Sequence, residues 1–546
     1  MGQTDSNKRL ALGLDLSTQS LSAVVLDIDA REAVLNLKAD YAKDLDPVRY
    51  GIRVSDYILP PKEDGQAEQP PSMYFEAVDS LLNTLQESGL PLEDIAVVNC
   101  SAQQHGHVYL NQRAEDIFAR LNSVDSASLE LSTLLDGCLS CETAPIWMTS
   151  NTSEEATYIR EYVGGKDALI GLTGSDIPLR FTAATIRRIG KRSPDTYDRT
   201  ETIQLLSALL PAILTGNSKA PTDFGNACST SLMDYANREW SDLLIAATAE
   251  GLPGGANALR DKLTAITAPD AQVATIAQYF VEKYGFSPSC RILAGSGDNP
   301  QSKVLVEGDL LSLGTSFVFM VATDGKTVDT SGMANAMYDG LGRPFLFGCR
   351  TNGALVWDRL REMHGIGRDD YSTADSALER QSVATSMVFW QPRGESFPPS
   401  GPFELTRMGD STAETSSDFA GLVETSLCAV YLHSKSFTRA IGAPLYVTGG
   451  ASKSPGVLRR VAAIWNRPVI PIEEGGAALG AAVAGACALL KAEGQESDAS
   501  TFSESLLRRR ELIAPCPSDV SAFHSPGGYL ERFATEEARL LDLHPT

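Results

Sequence analysis

Residues 9–29, RLALGLDLSTQSLSAVVLDID, set the strongest constraint on what this chain can fold into. Leu10, Leu12, Leu14 and Leu16 alternate with Ala11, Gly13 and Asp15, the period of a strand with one apolar face. The other face is small and ends in a carboxylate. Ser17, Thr18, Gln19 and Ser20 make a polar turn, and residues 21–28 run back as a second strand. A hairpin with backbone N–H groups at its tip and an acid beneath suits a phosphate held with a divalent cation. Alone, the same residues also read as a plain hairpin with Asp15 at a solvated strand end. A second stretch adds weight. Residues 310–323, LLSLGTSFVFMVAT, again run strand, small polar turn (Gly314-Thr315-Ser316) and strand. Two such hairpins, one at the start and one just past the middle, are the layout expected if two related halves each give a phosphate loop to a cleft.

At 546 residues the chain is too long for one core, so two large domains are expected, cut near Ala294 into 1–294 and 295–546. Hydrophobic content of 43% and charged content of 21% are those of a soluble globular protein. The net charge of -23 argues against nucleic acid or an anionic membrane as partner. A nucleotide site in such a chain must supply positive potential locally, from backbone amides, helix N-termini, a few bases and a metal ion. Nine scattered cysteines without a signal-peptide pattern point to a reducing, cytoplasmic setting. Cys138 and Cys141 form a single C-x-x-C with no second pair nearby, so zinc is not expected. The apolar run 475–490 follows Glu473-Glu474 and is too short to span a bilayer, so it reads as a buried helix. Met1-Gly2-Gln3-Thr4-Asp5-Ser6 matches the loose N-myristoylation pattern; a solvated tail is the favoured reading.

Between the hairpins, residues 74–86 have helical spacing through Phe75, Val78, Leu81, Leu82 and Leu85. Residues 95–100 form an apolar strand that delivers Ser101-Ala102-Gln103-Gln104-His105-Gly106. Amides, a serine and a histidine after a strand end suit a site that hydrogen-bonds hydroxyls. A structural histidine on a loop is the alternative for His105. Residues 111–139 are helical in pattern. Trp147 follows another short strand and stands either near a ligand or in a core. Arg180 precedes Phe181 and Thr182 at the opening of a helix to Gly190; an arginine in a first helical turn opposes the dipole and suggests a ligand. Residues 221–229, PTDFGNACS, are a small-residue loop around Asp223. Gly297-Asp298-Asn299-Pro300 favours a turn, with an acid and an amide forming a fork for adjacent hydroxyls. Late in the chain, Leu445 to Thr448 reads as a strand ending in Gly449-Gly450. Ser454 can N-cap and Pro455 can take the first position of a helix burying Leu458, Val461, Ala462 and Trp465. Gly476, Gly480 and Ala484 lie four apart, so another backbone or a flat ligand can approach that helix.

These stretches, in this order, resemble the FGGY carbohydrate kinases of the actin and hexokinase-like ATPase superfamily. The S-x-QQHG run and the layout resemble the eukaryotic-type xylulokinases within it. The resemblance implies an α/β, two-domain actin/hexokinase-like (ribonuclease H-like) ATPase fold with an interdomain cleft. It implies ATP and Mg²⁺ as cofactors and a small-molecule sugar, D-xylulose, as substrate, in a monomer or homodimer. By resemblance Asp223 is the catalytic base. Gln104, His105, Trp147, Arg180, Asp298 and Asn299 bind the sugar. Ser17, Thr18, Gln19, Gly314, Thr315, Ser316, Gly449, Gly450 and Lys453 serve ATP, and Asp15 the metal. Three positions depart from the family pattern. Ala102 stands where Gly is usual, Thr149 where Asp is usual, and Arg188 where Lys is frequent.

An actin-like ATPase would keep both hairpins but have no use for Gln104, His105, Arg180, Asp298 and Asn299 in one small pocket. A sugar-binding regulator without catalysis would not need Asp15 and Asp223. A kinase for another ketopentose or a polyol stays open.

Overall fold

The computed structural model describes residues 8–367, 370–409, 411–438, 442–473, 475–495 and 498–545. The Met1–Ser6 pattern and Glu474 lie outside the described residues. The chain forms two compact units. Unit 1 comprises Met1–Leu305, Ala336–Pro344 and Gly475–Leu506, and unit 2 comprises Val306–Asn335, Phe345–Glu474 and Leu507–Thr546. This division differs from a single cut near Ala294. Residues 295–305 stay with unit 1 because Ser296 and Gly297 pair in parallel with Ser101 and Ala102. The Gln301 side-chain amide also donates to the Cys100 carbonyl at 3.0 Å.

The unit 1 sheet runs in the order Gln272–Thr275, Arg291–Leu293, Ile95–Ala102, Leu10–Leu16, Ser20–Asp27, Glu32–Asp40. The three amino-terminal strands form an antiparallel meander, and Ile95–Ala102 adds in parallel to Leu10–Leu16. The expected leucine face is real: Leu10, Leu12, Leu14 and Leu16 are all buried, in one core with Phe75, Val78, Leu81, Leu82 and Leu85 of the helix Pro71–Glu87. The small face is buried too. A Cβ on Gly13 would lie 1.9 Å from the Ala478 carbonyl oxygen and 2.5 Å from the Ala482 nitrogen. Both belong to the helix Gly476–Ala492, the expected buried helix. On that helix, a Cβ on Gly480 would fall 1.9 Å from the Gln301 carbonyl oxygen, so Gly480 meets another backbone; Gly476 faces open space. This helix belongs to unit 1 because the backbone of Gly13 gives it a seat that any side chain would fill.

Unit 2 repeats the pattern. Its strands run Pro344–Arg350, Phe317–Ala322, Leu310–Leu313, Leu445–Thr448, Val469–Pro471. Three are antiparallel, and then two add in parallel. Each hairpin therefore contributes its first strand to the centre of a sheet.

Several local expectations change. Residues 111–139 hold only short turns of helix, Ala114–Ala119 and Leu131–Leu134, separated by 3₁₀ segments. Asp298-Asn299-Pro300 opens the helix Asp298–Val304 rather than a turn; proline is tolerated in a first helical turn, where its missing N–H is not needed. Arg180 precedes the helix Thr182–Arg192, whose N-cap is Phe181, so it is not a first-turn residue and opposes no dipole.

The close seat of the helix on Gly13 generates a test. Gly13→Ala should lower the thermal midpoint by several degrees, since overpacking of this kind costs at least ~1–3 kcal/mol. An unchanged midpoint in a melting experiment would contradict the packing.

Candidate active site

Parallel pairing sets the first row of the site. Asp15 lies opposite Ser101, and Ser101 lies opposite Ser296. Three strand ends thus bring one carboxylate and two hydroxyls together. The Ser101 hydroxyl donates to Asp15 Oδ1 at 2.7 Å, and the Ser296 hydroxyl donates to Asp223 Oδ2 at 2.7 Å. The chain leaves these ends as Gln103-Gln104-His105 and Asp298-Asn299, so both sequence motifs emerge from the same edge.

Asp223 is 1% exposed and is the N-cap of a short helix, Phe224–Ala227. Its Oδ2 also accepts from the Gly225 N–H at 2.8 Å, and Oδ1 accepts from the Asn226 N–H at 3.2 Å. Burial pushes its pKa up to about 7, against the hydroxyl and amide donors that favour the anion. Gly225 is required here: a Cβ would lie 2.5 Å from Asp223 Oδ2 and 2.8 Å from Ser296 Oγ. The cap fixes the carboxylate in place.

A second group of contacts continues from Asp298. The Asn299 amide donates to Gln104 Oε1 at 2.8 Å, and the Asn299 N–H donates to Asp298 Oδ1 at 2.9 Å. Burial, and then the charge of Asp15, push the Asp298 pKa up to about 7. Burial also raises the Asp15 carboxyl, partly offset by the Ser101 hydrogen bond. Gln104 Nε2 donates to Ser229 Oγ at 3.3 Å. Gly297 leaves room for Gln104, whose Cγ would lie 2.4 Å from a Cβ there.

His105 completes the run. It has a left-handed backbone, φ 67°, a conformation that a bulky residue holds only when its surroundings impose it. Its ring stacks on Phe181 with centroids 4.7 Å apart. Nδ1 lies 3.1 Å from the Ser229 carbonyl, and the Arg180 Nε–H donates to Nε2 at 3.3 Å. A carbonyl can only accept, so the proton sits on Nδ1 and the ring is neutral. Burial, and then the Arg180 charge, hold its pKa well below the usual histidine value.

Asp15, Asp223, Gln104, His105, Arg180, Asp298 and Asn299 are thus brought together within unit 1. Trp147 is 47% exposed, which removes the core reading, and its indole N–H donates to Thr18 Oγ1 at 2.8 Å. Thr149 is buried and its hydroxyl donates to the Ala67 carbonyl at 2.9 Å. Arg188 pairs with Glu63 and lies 3.9 Å from Glu155. Ser101, Ser229 and Ser296 belong to the same network; their signal in the sequence was only their place beside the motif residues.

Unit 2 carries the other candidates. At the hairpin tip, the Gly314 carbonyl accepts from the Ala354 N–H at 3.0 Å, which seats the start of the helix Ala354–Met363 against the turn. The Ser316 hydroxyl donates to the Thr351 carbonyl at 3.4 Å, and Thr315 lies between them. Gly449 has φ 90°, and a Cβ there would lie 2.6 Å from the Leu313 carbonyl group, so only glycine joins the two strand ends. Gly450 faces open space and Lys453 is exposed. Ser454 caps the helix Pro455–Trp465 by accepting from the Val457 N–H, as the sequence predicts. Arg460 anchors that helix from inside, paired with Glu424 at 2.9 Å.

Two domain models of one family match the chain in order. The N-terminal domain of the FGGY family of carbohydrate kinases matches residues 140–304, and the C-terminal domain matches 310–489. The chain belongs to the FGGY family of carbohydrate kinases. This FGGY kinase is 28% identical to a protein named "Probable D-xylulose kinase A" from Aspergillus fumigatus, over 82% of this chain and 83% of the relative. It is 31% identical to a protein named "Xylulose kinase" from Saccharomyces cerevisiae, over 68% of this chain and 61% of the relative. Its fold matches the crystal structure of a "xyloylose kinase" from Brucella ovis with a TM-score of 0.78 at 21% identity, covering 98% of this chain and 100% of the other. It is a phosphotransferase with the two-domain FGGY fold, and ATP is the phosphoryl donor of that family. Among the described residues no helix is long and apolar enough to cross a membrane.

The buried Asp223 carboxyl has a consequence for stability. Its folded pKa, about 7, lies above the ordinary aspartate value of 3.8, so between these values the native state holds the extra proton. Its contribution to stability therefore falls as pH rises from about 4 through about 7. Asp223→Asn lacks that slope but keeps only one of the two oxygens that accept from the Gly225 and Asn226 N–H groups. Its melting temperature relative to the wild type should therefore be higher at pH 8 than at pH 5, by scanning calorimetry at both values.

Proposed function

We propose that this FGGY kinase transfers the γ-phosphoryl group of ATP to D-xylulose, giving D-xylulose 5-phosphate. One observation carries the reading. A continuous hydrogen-bonded set links Asp223 through Ser296 to the strand that delivers Asp298 and Asn299, and from there through Gln104 and Ser229 to His105 and Arg180. It puts a carboxylate of raised pKa beside amides, a neutral imidazole and a guanidinium, a polyol-binding chemistry without a use in plain ATP hydrolysis. The names of the fungal and yeast relatives support D-xylulose within the family.

In this reading Gln104, His105, Arg180, Asp298 and Asn299 orient the sugar hydroxyls, and Trp147 covers one side. Asp223 takes the proton from the attacking hydroxyl as its oxygen bonds the γ-phosphorus and ADP leaves. Oδ1, which accepts only the longer bond from Asn226, is the oxygen with capacity for that proton. Ser17, Thr18 and Gln19 in unit 1, and Gly314, Thr315, Ser316, Gly449, Gly450 and Lys453 in unit 2, serve the nucleotide. The domain roles follow: the first carries the sugar and one phosphate hairpin, the second the other hairpin and the adenosine loop.

Asp15 and Asp298 fit a Mg²⁺ ion. They repel one another and both carboxyls are raised, the condition that a cation relieves. Such an ion would neutralise phosphate charge during transfer. A second reading, another ketopentose, rests on Thr149, whose hydroxyl is committed to the Ala67 carbonyl where the family pattern has a carboxylate.

A coupled ADP-release assay over D-xylulose, L-xylulose, D-ribulose, L-ribulose and glycerol should give its highest kcat/KM with D-xylulose; a higher value for ribulose would select the second reading. In the same assay Asp223→Asn should lose roughly 10²–10⁴-fold in kcat with little change in either KM. Retention of more than about a tenth of wild-type kcat would remove Asp223 as the base. Asp15→Asn should cut turnover strongly and leave the sugar Kd nearly intact by calorimetry; an equal loss of sugar affinity would refute a metal role.

A further inference from the structure

The two adjacent glutamines of the QQHG run point into different networks. Gln104 joins Asn299 and Ser229 on the sugar side. Gln103 turns to the first hairpin. Its backbone N–H extends the sheet by donating to the Leu16 carbonyl at 2.9 Å. Its Oε1 accepts from Thr18 Oγ1 at 3.0 Å, and its Nε2 donates to Gln69 Oε1 at 2.8 Å. Gln69 in turn donates from Nε2 to the Thr18 carbonyl at 2.8 Å and to the Tyr57 carbonyl at 2.7 Å, and Tyr74 donates to its Oε1 at 2.9 Å. Both glutamines are fully buried, at 1% and 0% exposure. The hairpin tip, by contrast, is partly open, and its Ser17 carbonyl accepts from Tyr41 at 3.1 Å.

We propose that Gln103 is a positioning residue for the phosphate hairpin: with Gln69 it holds Thr18 by both hydroxyl and carbonyl, and so sets the tip that receives ATP. This rests on the reading of residues 17–19 as a phosphate loop. The geometry is over-determined. Each amide oxygen and nitrogen of the pair has the partner its chemistry requires, which fixes both amide orientations. The tip's own bonds, from the Ser17 N–H and hydroxyl to the Ser20 carbonyl at 2.9 Å each, close the turn, and the buried amide pair holds Thr18 from the end of the strand which also carries the sugar residues. One strand end thereby registers donor and acceptor sites against each other, Gln103 toward the phosphates and Gln104 toward the hydroxyls. Trp147 reinforces the tip from the solvent side by donating to the same Thr18 hydroxyl.

The test is a crossed pair of kinetic signatures. Gln103→Met keeps size and removes both amide contacts. It should raise KM for ATP about five- to tenfold, the loss expected for one or two buried hydrogen bonds, and leave the sugar KM within about twofold. Gln104→Met should do the reverse. A residue with only a structural role would lower the melting temperature and move neither KM selectively. Since Gln103 acts through Thr18, Gln103→Met added to Thr18→Val should cost nothing further. If Gln103→Met does not fold, the exposed-end pair decides: Thr18→Val should weaken MgATP binding and Thr18→Ser should keep it. Equal effects of Gln103→Met on both KM values, full additivity with Thr18→Val, or equal binding by the Val and Ser variants would overturn the proposal. MgATP titration calorimetry without sugar reads the same effect. Absence of xylulose turnover in the wild type would thus refute the substrate assignment while the titration still decides Gln103.

Discussion

Because Asp15 faces Ser101 and Ser101 faces Ser296 in a parallel sheet, three strands far apart in sequence must end on one line. Everything chemical in unit 1 hangs from that register. A one-residue slip in the strand Ile95–Ala102 would turn Ser101 away from Asp15 and send both glutamines to the wrong faces. The register is held from both sides. The leucine face of the strand Leu10–Leu16 is locked into the core, and its small face is locked by a helix backbone that only Gly13 admits. The helix Gly476–Ala492, nearly the last large element of the chain, therefore fixes the first strand, and the Asn99 amide bonds it again through the Ala481 carbonyl at 3.1 Å.

A chain with net charge of -23 belongs to a family whose phosphoryl donor, ATP, is itself an anion. Burial raises Asp15, Asp223 and Asp298, and the last two reach about 7, so Asp223 and Asp298 carry less than full negative charge near neutral pH. Hydroxyl and amide donors from Ser101, Ser296, Gly225 and Asn226 orient these groups without neutralising them. The Arg180 Nε–H is directed to a neutral His105.

Much of this was legible in the sequence where the signal is periodic. The two hairpins, the helix Pro71–Glu87 and the capped helix Pro455–Trp465 follow from alternation, 3.6-residue spacing and a Ser-Pro start. The clustering of amides and acids after strand ends marked Gln104, His105, Asp298 and Asn299 as candidates, while Asp223 was picked out by the family resemblance. What could not be read was long-range. No local pattern says that residues 475–506 return to unit 1, since that depends on the fit of the helix backbone to Gly13. The turn expected at Asn299-Pro300 gave way to a helix because proline fits a first turn as well as it fits a bend. Arg180 was placed inside its helix by the same ±2-residue uncertainty of helix starts. Gln103 and Gln104 are identical in type and adjacent in sequence, so only the structure separates their partners.

The duplicated sheet order sets the strand ends of the two units in contrast. Both place a hairpin at the sheet centre and add two parallel strands beside it. The difference lies in what leaves the first parallel strand. In unit 1 the strand Ile95–Ala102 ends in side chains with donors and acceptors, Gln103, Gln104 and His105, which suit directional contacts to hydroxyls. In unit 2 the corresponding strand, Leu445–Thr448, ends in Gly449 and Gly450. There the Leu313 backbone leaves room for hydrogen only, and the next residue opens onto free space. A strand end stripped of side chains offers backbone to a flat or anionic ligand, and the helix it feeds begins with a serine cap and a proline. From one sheet plan, side chains at one strand end and their absence at the other give the two units strand ends of opposite character, the contrast on which the proposed division of sugar and nucleotide rests.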